Sequence, residues 1–377
     1  VSAPVVGAVD CGTNSIRLLI ARADSSLPAD RVAESSLPAD GVADSFLPAD
    51  RVADSFLPVD RVADSFLPVD RVADERSEEA YRDHPPAPLV DIHREMRVVR
   101  LGEGVDATGR FAPAAIERTR KALADYVDIM VAAGVERVRM VATSATRDAA
   151  NRDEFFAMTA ELLGRVVPGA SAEVITGDEE ARLSFQGAVG ELDPASGPFV
   201  VTDLGGGSTE VVVGDADGVR AAYSADIGCV RLTERCLPSD PPTDDEVTAA
   251  SEFARARLDP AFAAVPVEGA RTWVGVAGTM TTLAALGAGL SEYDPEIIHL
   301  SRISLDDLGV VCRRLVAMTR ADRAALGPMH PGRVDVIGGG SLVTMELARV
   351  LSRRAGITEL VVSEHDILDG IAMGLLD

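Results

Sequence analysis

The sequence predicts an α/β protein built as two similar halves facing each other across a cleft. Short apolar runs alternate with helix-patterned segments along the chain. Its 377 residues suffice for two domains of ordinary size, each with its own core. Two stretches, VDCGTNSIRLLI from Val9 and TDLGGGSTEVVV from Thr202, also share one plan: apolar strand, Asp-x-Gly, small polar turn, apolar strand.

Residues 5–9 (VVGAV) and 16–20 (IRLLI) flank DCGTNS, as in two antiparallel strands joined by a tight turn. Five copies of a ten-residue unit such as DSFLPVDRVA then fill 24–73. A proline beside an Asp-rich turn signal in every copy excludes a continuous helix and disfavours a central strand. The repeat is therefore expected to be a loosely ordered surface insertion, with partner docking as the alternative.

MRVVRLGEGVD reads as a strand leaving through a glycine loop. Pro113 opens a helix that places Ile116, Leu123, Val127 and Met130 on one face and ends at Gly134. VERVRMVAT and AEVIT read as strands, with helices expected after Thr146 and from about Asp178. A second cycle begins with FVVTDL, turns at GGGS and returns as TEVVVG. WVGVAGTMTTLAAL, VDVIGGGSLVTMELARVL and LVVSEHDILDGIAMGLL each read as a strand feeding a helix. The expected domains are 1–190 and 191–377, the last helix packing back on the first.

The net charge is −24, of which the repeat carries −6, leaving −18 on the remainder. That balance argues against generic binding to nucleic acid, whose backbone is held mostly by Lys and Arg. Lys121 is the one lysine, so an anion site must lean on backbone N–H groups, a metal and a few arginines. No apolar run reaches the roughly 20 residues that span a bilayer, and the opening VSAPVVGAVD lacks a basic leader. A cytoplasmic protein without membrane contact is expected. Cys11, Cys229, Cys236 and Cys312 are scattered and read as reduced thiols, Cys11 alone being a candidate nucleophile.

Two glycine-rich hairpins, Asp10 to Ser15 and Asp203 to Glu210, could bring backbone N–H groups against a phosphate while an aspartate at the strand end holds a metal. Each alone could be only a turn that needs glycine; two with aspartate in the same place make that less apt. In VATSATRDAAN, Arg147 and Asn151 fall four apart on one helix face, making Arg147 a phosphate ligand or a surface partner of Asp148 or Glu154. In ITGDEEARL, acidic residues suit a helix start, yet a carboxylate there could also deprotonate an attacking water. GVAGTMTT, with Gly278 and Thr279, forms a helix N-terminus after a strand, a ready anion site. GGGS at 338–341 repeats that construction and keeps nucleotide binding open; His365 receives no role.

Taken together, VDCGTNSIRLLI, ATSATRDAAN, ITGDEEARL, VTDLGGGSTE, DIGCVRLTER, GVAGTMTTLAA and VSEHDILDGIA resemble, in order, the exopolyphosphatase/guanosine-pentaphosphatase (Ppx/GppA) family of the actin-like superfamily. The resemblance implies two ribonuclease-H-like domains with an interdomain active-site cleft. It implies metal-assisted attack of water on the terminal phosphoryl group of inorganic polyphosphate or guanosine pentaphosphate. It places the general base on Glu180, with Glu179 as the other register. Asp203 and Glu210 fall where the family holds Mg2+ (or Mn2+), and Asp10, the matching aspartate of the first hairpin, is expected to join them. Gly12, Thr13, Asn14, Ser15, Gly205, Gly206, Gly207 and Ser208 would cradle phosphates and Arg147 matches the family's arginine; Thr209, with Gly278 and Thr279 of the helix N-terminus, completes the expected phosphate contacts. A homodimer is expected. A short form, without the helical C-terminal domains of longer members, is expected, and the repeat stands where the family has a short loop. An ATP-using kinase and a polyphosphate-sensing or partner-recruiting scaffold are the competing readings.

Overall fold

The computed structural model describes residues 3–24 and 89–376; apart from Asp24, the ten-residue repeat lies outside the described residues. Eleven strands are described, in two sheets.

The first sheet is built from β1 (Val6–Cys11), β2 (Ser15–Ala23), β3 (Leu89–Val98), β4 (Arg137–Ala142) and β5 (Ala172–Val174), in the order β3-β2-β1-β4-β5. Strands β1 to β3 are antiparallel neighbours, whereas β4 and β5 run parallel to β1. Its helices are α1 (Pro113–Ala132), α2 (Ser144–Asp148) and α3 (Arg152–Leu163). Pro113 occupies the first turn of α1, where its missing N–H costs nothing, and Gly134 follows the helix at φ 71°. Leu123, Tyr126, Val127 and Met130 make its buried face, with Ile116 half-buried.

After α4 (Gly177–Val189) comes the second sheet: β6 (Phe199–Leu204), β7 (Thr209–Asp215), β8 (Gly218–Ala225), β9 (Thr272–Val276), β10 (Ser301–Ser304) and β11 (Glu359–Val362). Its order is β10-β11-β9-β6-β7-β8. With edge strand β10 set aside, β8-β7-β6-β9-β11 repeats the first sheet, antiparallel meander and parallel strands alike. Its helices are α5 (Cys229–Cys236), α6 (Asp244–Ala264), α7 (Ala277–Gly287), α8 (Leu305–Ala317) and α9 (Ile337–Ala355), and α10 (Ile367–Leu376) closes the chain. Trp273 lies wholly buried in this half and donates its indole N–H to Thr202 Oγ1 at 2.8 Å, satisfying both polar groups.

Two helices are exchanged between the sheets. α4 packs Ala181, Phe185 and Ala188 on Val201, Val212 and Val276 of the second sheet. α10 packs Ile367, Leu368 and Ile371 on Val6, Ala8 and Val141 of the first. The two helices also meet each other, and glycine allows it: a Cβ on Gly187 would sit 1.8 Å from the Asp366 carbonyl oxygen, and one on Gly370 would sit 2.1 Å from that of Leu183.

Two local expectations are corrected. VDVI forms no strand: Val334 to Val336 are a turn, and GGGS at 338–341 lies inside α9. Arg147 and Asn151 do not share a helix, because Ala149 is extended and ends α2. Asn151 instead precedes α3, its side chain bonded to the backbone N–H and C=O of Phe111 at 2.8 and 3.2 Å.

Candidate active site

The two glycine hairpins are built alike. Gly12 N–H donates to Ser15 C=O at 3.0 Å, and Gly205 N–H donates to Ser208 C=O at 3.1 Å. Register pairs Asp10 with Arg17 and, at the equivalent place, Asp203 with Glu210. The twins therefore differ in charge: one hairpin opposes its aspartate with an arginine, the other with a second carboxylate.

The second loop is fixed from behind. N–H groups of Cys229, Val230 and Arg231 at the start of α5 bind the carbonyls of Gly205 and Gly206, and Arg231 Nε binds that of Gly207 at 2.9 Å. With the carbonyls occupied there, the N–H groups of Gly206 and Gly207 have no protein acceptor among the described residues. Side chains are excluded by proximity: a Cβ on Gly207 would lie 2.6 Å from Ser144 Oγ and 2.7 Å from Thr13 Oγ1. Thr13 and Asn14 are held in turn, their carbonyls accepting from Gly102, Val99 and Arg100.

Residues 12–15 and 205–208 of the two loops line a cavity of about 110 Å³ together with Asp10, Arg17, Glu180, Asp203, Gly278, Thr279 and Arg333; Thr209, whose hydroxyl donates to the Ile227 carbonyl at 2.6 Å, and Glu210 do not line it. It shares Arg17, Met96, Ala277, Gly278 and Arg333 with an adjoining cavity of about 440 Å³. Ala277, which lines both, adopts φ 71°, a left-handed conformation that costs an alanine about 1–2 kcal/mol and is often stored at functional sites.

Glu180 is 7 % exposed and faces the small cavity, with Arg147 Nη1 donating to its Oε2 at 2.8 Å. Burial raises its pKa above the usual range, opposed by Arg147 and reinforced by Asp203 and Asp10. Burial likewise raises Asp203, with Asp366 adding to it, and Glu210, with Glu180 and Asp203 adding to it. Ser184 Oγ and Ser224 Oγ hold those two carboxylates at 2.7 Å each. Asp10 is raised mainly by burial even though Arg17 Nε and Nη2 bind its Oδ2 at 3.0 and 2.7 Å; its Oδ1 is buried without a partner. Arg17 also pairs with Asp366.

Not every expected residue is brought in. Glu179 is half-buried and pairs with Arg139 at 2.5 Å, outside the cavity. Arg147 stands behind Glu180 and does not line the cavity, bonding neither Asp148 nor Glu154 but Glu180 and the Ile175 carbonyl. GGGS at 338–341 is buried: Cβ atoms on Gly339 and Gly340 would meet Thr233 and Thr279, so these glycines let helices pack and leave no nucleotide loop. Burial pushes the Cys11 thiol far up, which removes it as a nucleophile, and all four cysteines are unbridged.

Three residues escaped the sequence reading. Arg17 was legible, since the hairpin register sets it opposite Asp10. Asp366, 349 positions away, had no local signal. Arg333, just before the VDVI run, received no role; it lines both cavities, its Nη1 donates to Thr282 Oγ1 at 2.9 Å, and it makes no ion pair among the described residues.

Two sheets of one repeated topology, with buried carboxylates and glycine hairpins between them, define the actin-like, ribonuclease-H-like class of phosphoryl-transfer folds. Within that class the chain belongs to the Ppx/GppA phosphatase family, whose profile matches residues 80–374. It is 56% identical to exopolyphosphatase 2 of Mycobacterium tuberculosis over 370 residues, 98% of each chain. It is 33% identical over 207 residues to a guanosine-5'-triphosphate,3'-diphosphate pyrophosphatase of Photobacterium profundum, across 55% of this chain and 40% of that protein. Among solved structures, an exopolyphosphatase-like protein shares 35% identity at TM-score 0.78, covering 99% of this chain and 98% of that one. The Aquifex aeolicus Ppx/GppA enzyme shares 26% identity at TM-score 0.67, covering 98% and 99%. The chain is thus a hydrolase of this family, and among the described residues no helix is long and apolar enough to cross a membrane.

Proposed function

We propose that the chain is an exopolyphosphatase that releases the terminal phosphate of inorganic polyphosphate, with Glu180 as general base. The observation that carries this is Glu180, one of three buried carboxylates lining the small cavity with Asp10 and Asp203, its basicity raised by burial and its Oε2 held by Arg147. The relative named exopolyphosphatase 2 supports the substrate.

In this reading the terminal phosphoryl oxygens accept hydrogen bonds from the free N–H groups of Gly206 and Gly207 and from the Thr13 and Ser208 hydroxyls. Glu180 orients a water molecule and takes its proton as the water oxygen bonds the terminal phosphorus. The bridging P–O bond breaks, the electron pair leaves with the shortened chain, and orthophosphate is released. Thr279, at the start of α7, and Arg333 meet the next phosphates.

The residues also suit Mg2+ (or Mn2+). Asp10, Asp203 and Glu210 are oxygen donors whose shared burial disfavours full ionisation without a cation, and Asp10 Oδ1 lacks a partner. They do not converge into a closed cage: among the described residues the one trio of ligand atoms within 4.8 Å of one another is elsewhere, at Glu191, His299 and His365. That openness fits Mg2+, which takes one or two carboxylates plus water and substrate phosphate. Bound there, the ion would neutralise phosphate charge.

Hydrolysis of guanosine pentaphosphate is the second reading, favoured by the adjoining 440 Å³ cavity, large enough for a nucleoside. Orthophosphate release from the two substrates with Mg2+, measured side by side, tests the choice: a higher kcat/KM on polyphosphate is expected, and turnover of guanosine pentaphosphate alone would reverse it.

A further inference from the structure

We propose that Glu191, His299 and His365 are positioning residues for hydrolysis, a proton-held latch that ties the end of the Glu180 helix to the segment presenting Asp366. The inference rests on the reading of Glu180 and Asp10 given above. It arises from a cluster outside the cavities.

Glu191 follows the end of α4, whose first turn carries Glu180. His299 follows a short helical turn, Pro295–Ile298, and His365 lies between β11 and α10. The Glu191 carboxylate bonds His365 Nδ1 and lies 3.6 Å from His299 Nε2; the imidazole centroids are 4.4 Å apart. The three side chains are 17 %, 25 % and 13 % exposed in the order Glu191, His365, His299, so water screens them weakly.

His2Glu is a plausible metal set by composition, but the tautomer argues otherwise. Glu364 N–H donates to His299 Nδ1 at 3.2 Å, so that nitrogen bears the lone pair and a neutral ring carries its proton on Nε2, the atom facing Glu191. A metal on Nε2 would need that nitrogen bare and would leave two N–H groups opposed at Nδ1.

The groups facing His365 are Glu191, His299, Asp369 and Arg94. Burial lowers its pKa and Arg94 does the same, yet the Glu191 hydrogen bond and charge together with Asp369 raise it to about 9. Burial raises Glu191, and the two histidines reverse that to about 2. The pair is therefore charged at neutral pH.

From His365 the path to the site is short. His365 N–H donates to Ser363 Oγ at 3.0 Å and its carbonyl accepts from the same hydroxyl at 2.8 Å, closing a tight turn. Asp366 comes next and pairs with Arg17, which binds Asp10. Tyr293 O–H holds Glu364 at 2.5 Å from the other side. Removing the His365 charge leaves the Gly187 contact with Asp366 in place but loosens the tie between the turn and the end of α4, which shifts both Arg17 and Glu180 relative to bound phosphate.

The test uses the full chain with Mg2+ and polyphosphate, comparing Glu191→Gln, His365→Gln, His365→Lys and Glu180→Gln by kcat, KM and pH profile. Misplacing reacting groups by about 1 Å can cost on the order of a hundredfold, so Glu191→Gln and His365→Gln are expected to lose roughly ten- to a hundredfold in kcat with little change in KM. Because the His365 pKa is raised, the latch is intact below that value and lost as pH rises through about 9. The wild type should show that alkaline limb, His365→Gln should lack it, and His365→Lys, with an ordinary pKa of about 10.4, should recover activity and move the limb up. Lys also keeps the test open where Gln does not fold, as thermal melts will show. Wild-type kcat and an unchanged alkaline limb in Glu191→Gln and His365→Gln, beside an inactive Glu180→Gln, would sink the latch alone. Turnover in Glu180→Gln would sink the base assignment alone, since the latch is read from its own pH limb. A rise in Tm with Zn2+ in the wild type but not in His365→Gln would make the cluster a metal seat and overturn the latch.

Discussion

Glu180→Gln separates proton transfer from everything else Glu180 does. Gln has nearly the same shape, and its amide oxygen can still accept from Arg147 Nη1, which now sits 2.8 Å from Oε2. What it cannot do is take a proton from water. General-base catalysis is worth roughly 10²–10⁴-fold, so kcat should fall by that factor, or about 2.7–5.5 kcal/mol of transition-state stabilisation. Two companion effects have the opposite sign. The site loses a negative charge beside Asp203 and Asp10, so an anionic substrate should bind as well or better. A buried carboxylate with a raised pKa also penalises the folded state at neutral pH, so the variant should melt no lower than wild type. The assay is steady-state orthophosphate release from polyphosphate, with binding measured by equilibrium dialysis and Tm by calorimetry. A kcat close to wild type, with Tm unchanged, would remove Glu180 from the mechanism; a large rise in Kd would make it a binding residue.

Asp10, Glu180, Asp203 and Glu210 all have raised folded pKa values, so their contribution is favourable at low pH and is lost as pH rises through those values. Metal-free protein should therefore gain Tm as pH falls from 8 towards 5, and Mg2+ should raise Tm more at pH 8 than at pH 5; equal Mg2+ shifts at both would contradict a seat among these carboxylates. Arg333→Ala should raise KM roughly ten- to a hundredfold, since one charge-assisted hydrogen bond is worth about 1.5–3 kcal/mol, with a smaller change in kcat; an unchanged KM would remove it from substrate binding. Gly187→Ala places a Cβ 1.8 Å from the Asp366 carbonyl oxygen. Overpacking there should cost about 1–3 kcal/mol in urea unfolding, and wild-type stability would refute the close α4–α10 contact.

The twin hairpins were legible because strand, glycine turn and return strand are local, and the register of a short turn is fixed by its length. The choice of Glu180 over Glu179 followed from the resemblance, and the geometry has a simple form: Thr176 caps α4, after which adjacent residues point about 100° apart, one to the cavity and one to Arg139. VDVI was misread because four residues of mixed polarity carry too little period to separate a strand from a turn. The 21-residue α6 was passed over although Thr243 and Glu246 form a capping box, a signal open to reading. Asp366 and the Glu191–His365 pair were out of reach, because only the exchange of α4 and α10 between the sheets brings residues so distant in sequence together.

If water activated at Glu180 attacks the terminal phosphorus of polyphosphate between the two hairpins, the solvent oxygen must leave in the released orthophosphate. Hydrolysis in ¹⁸O-enriched water, with products resolved by mass spectrometry, tests it most directly. Each released orthophosphate should carry one ¹⁸O and the chain shortened by one unit none, and Glu180→Gln should form the labelled orthophosphate roughly 10²–10⁴-fold more slowly. Label at the end of the shortened chain, or internal cleavage in place of terminal release, would contradict it.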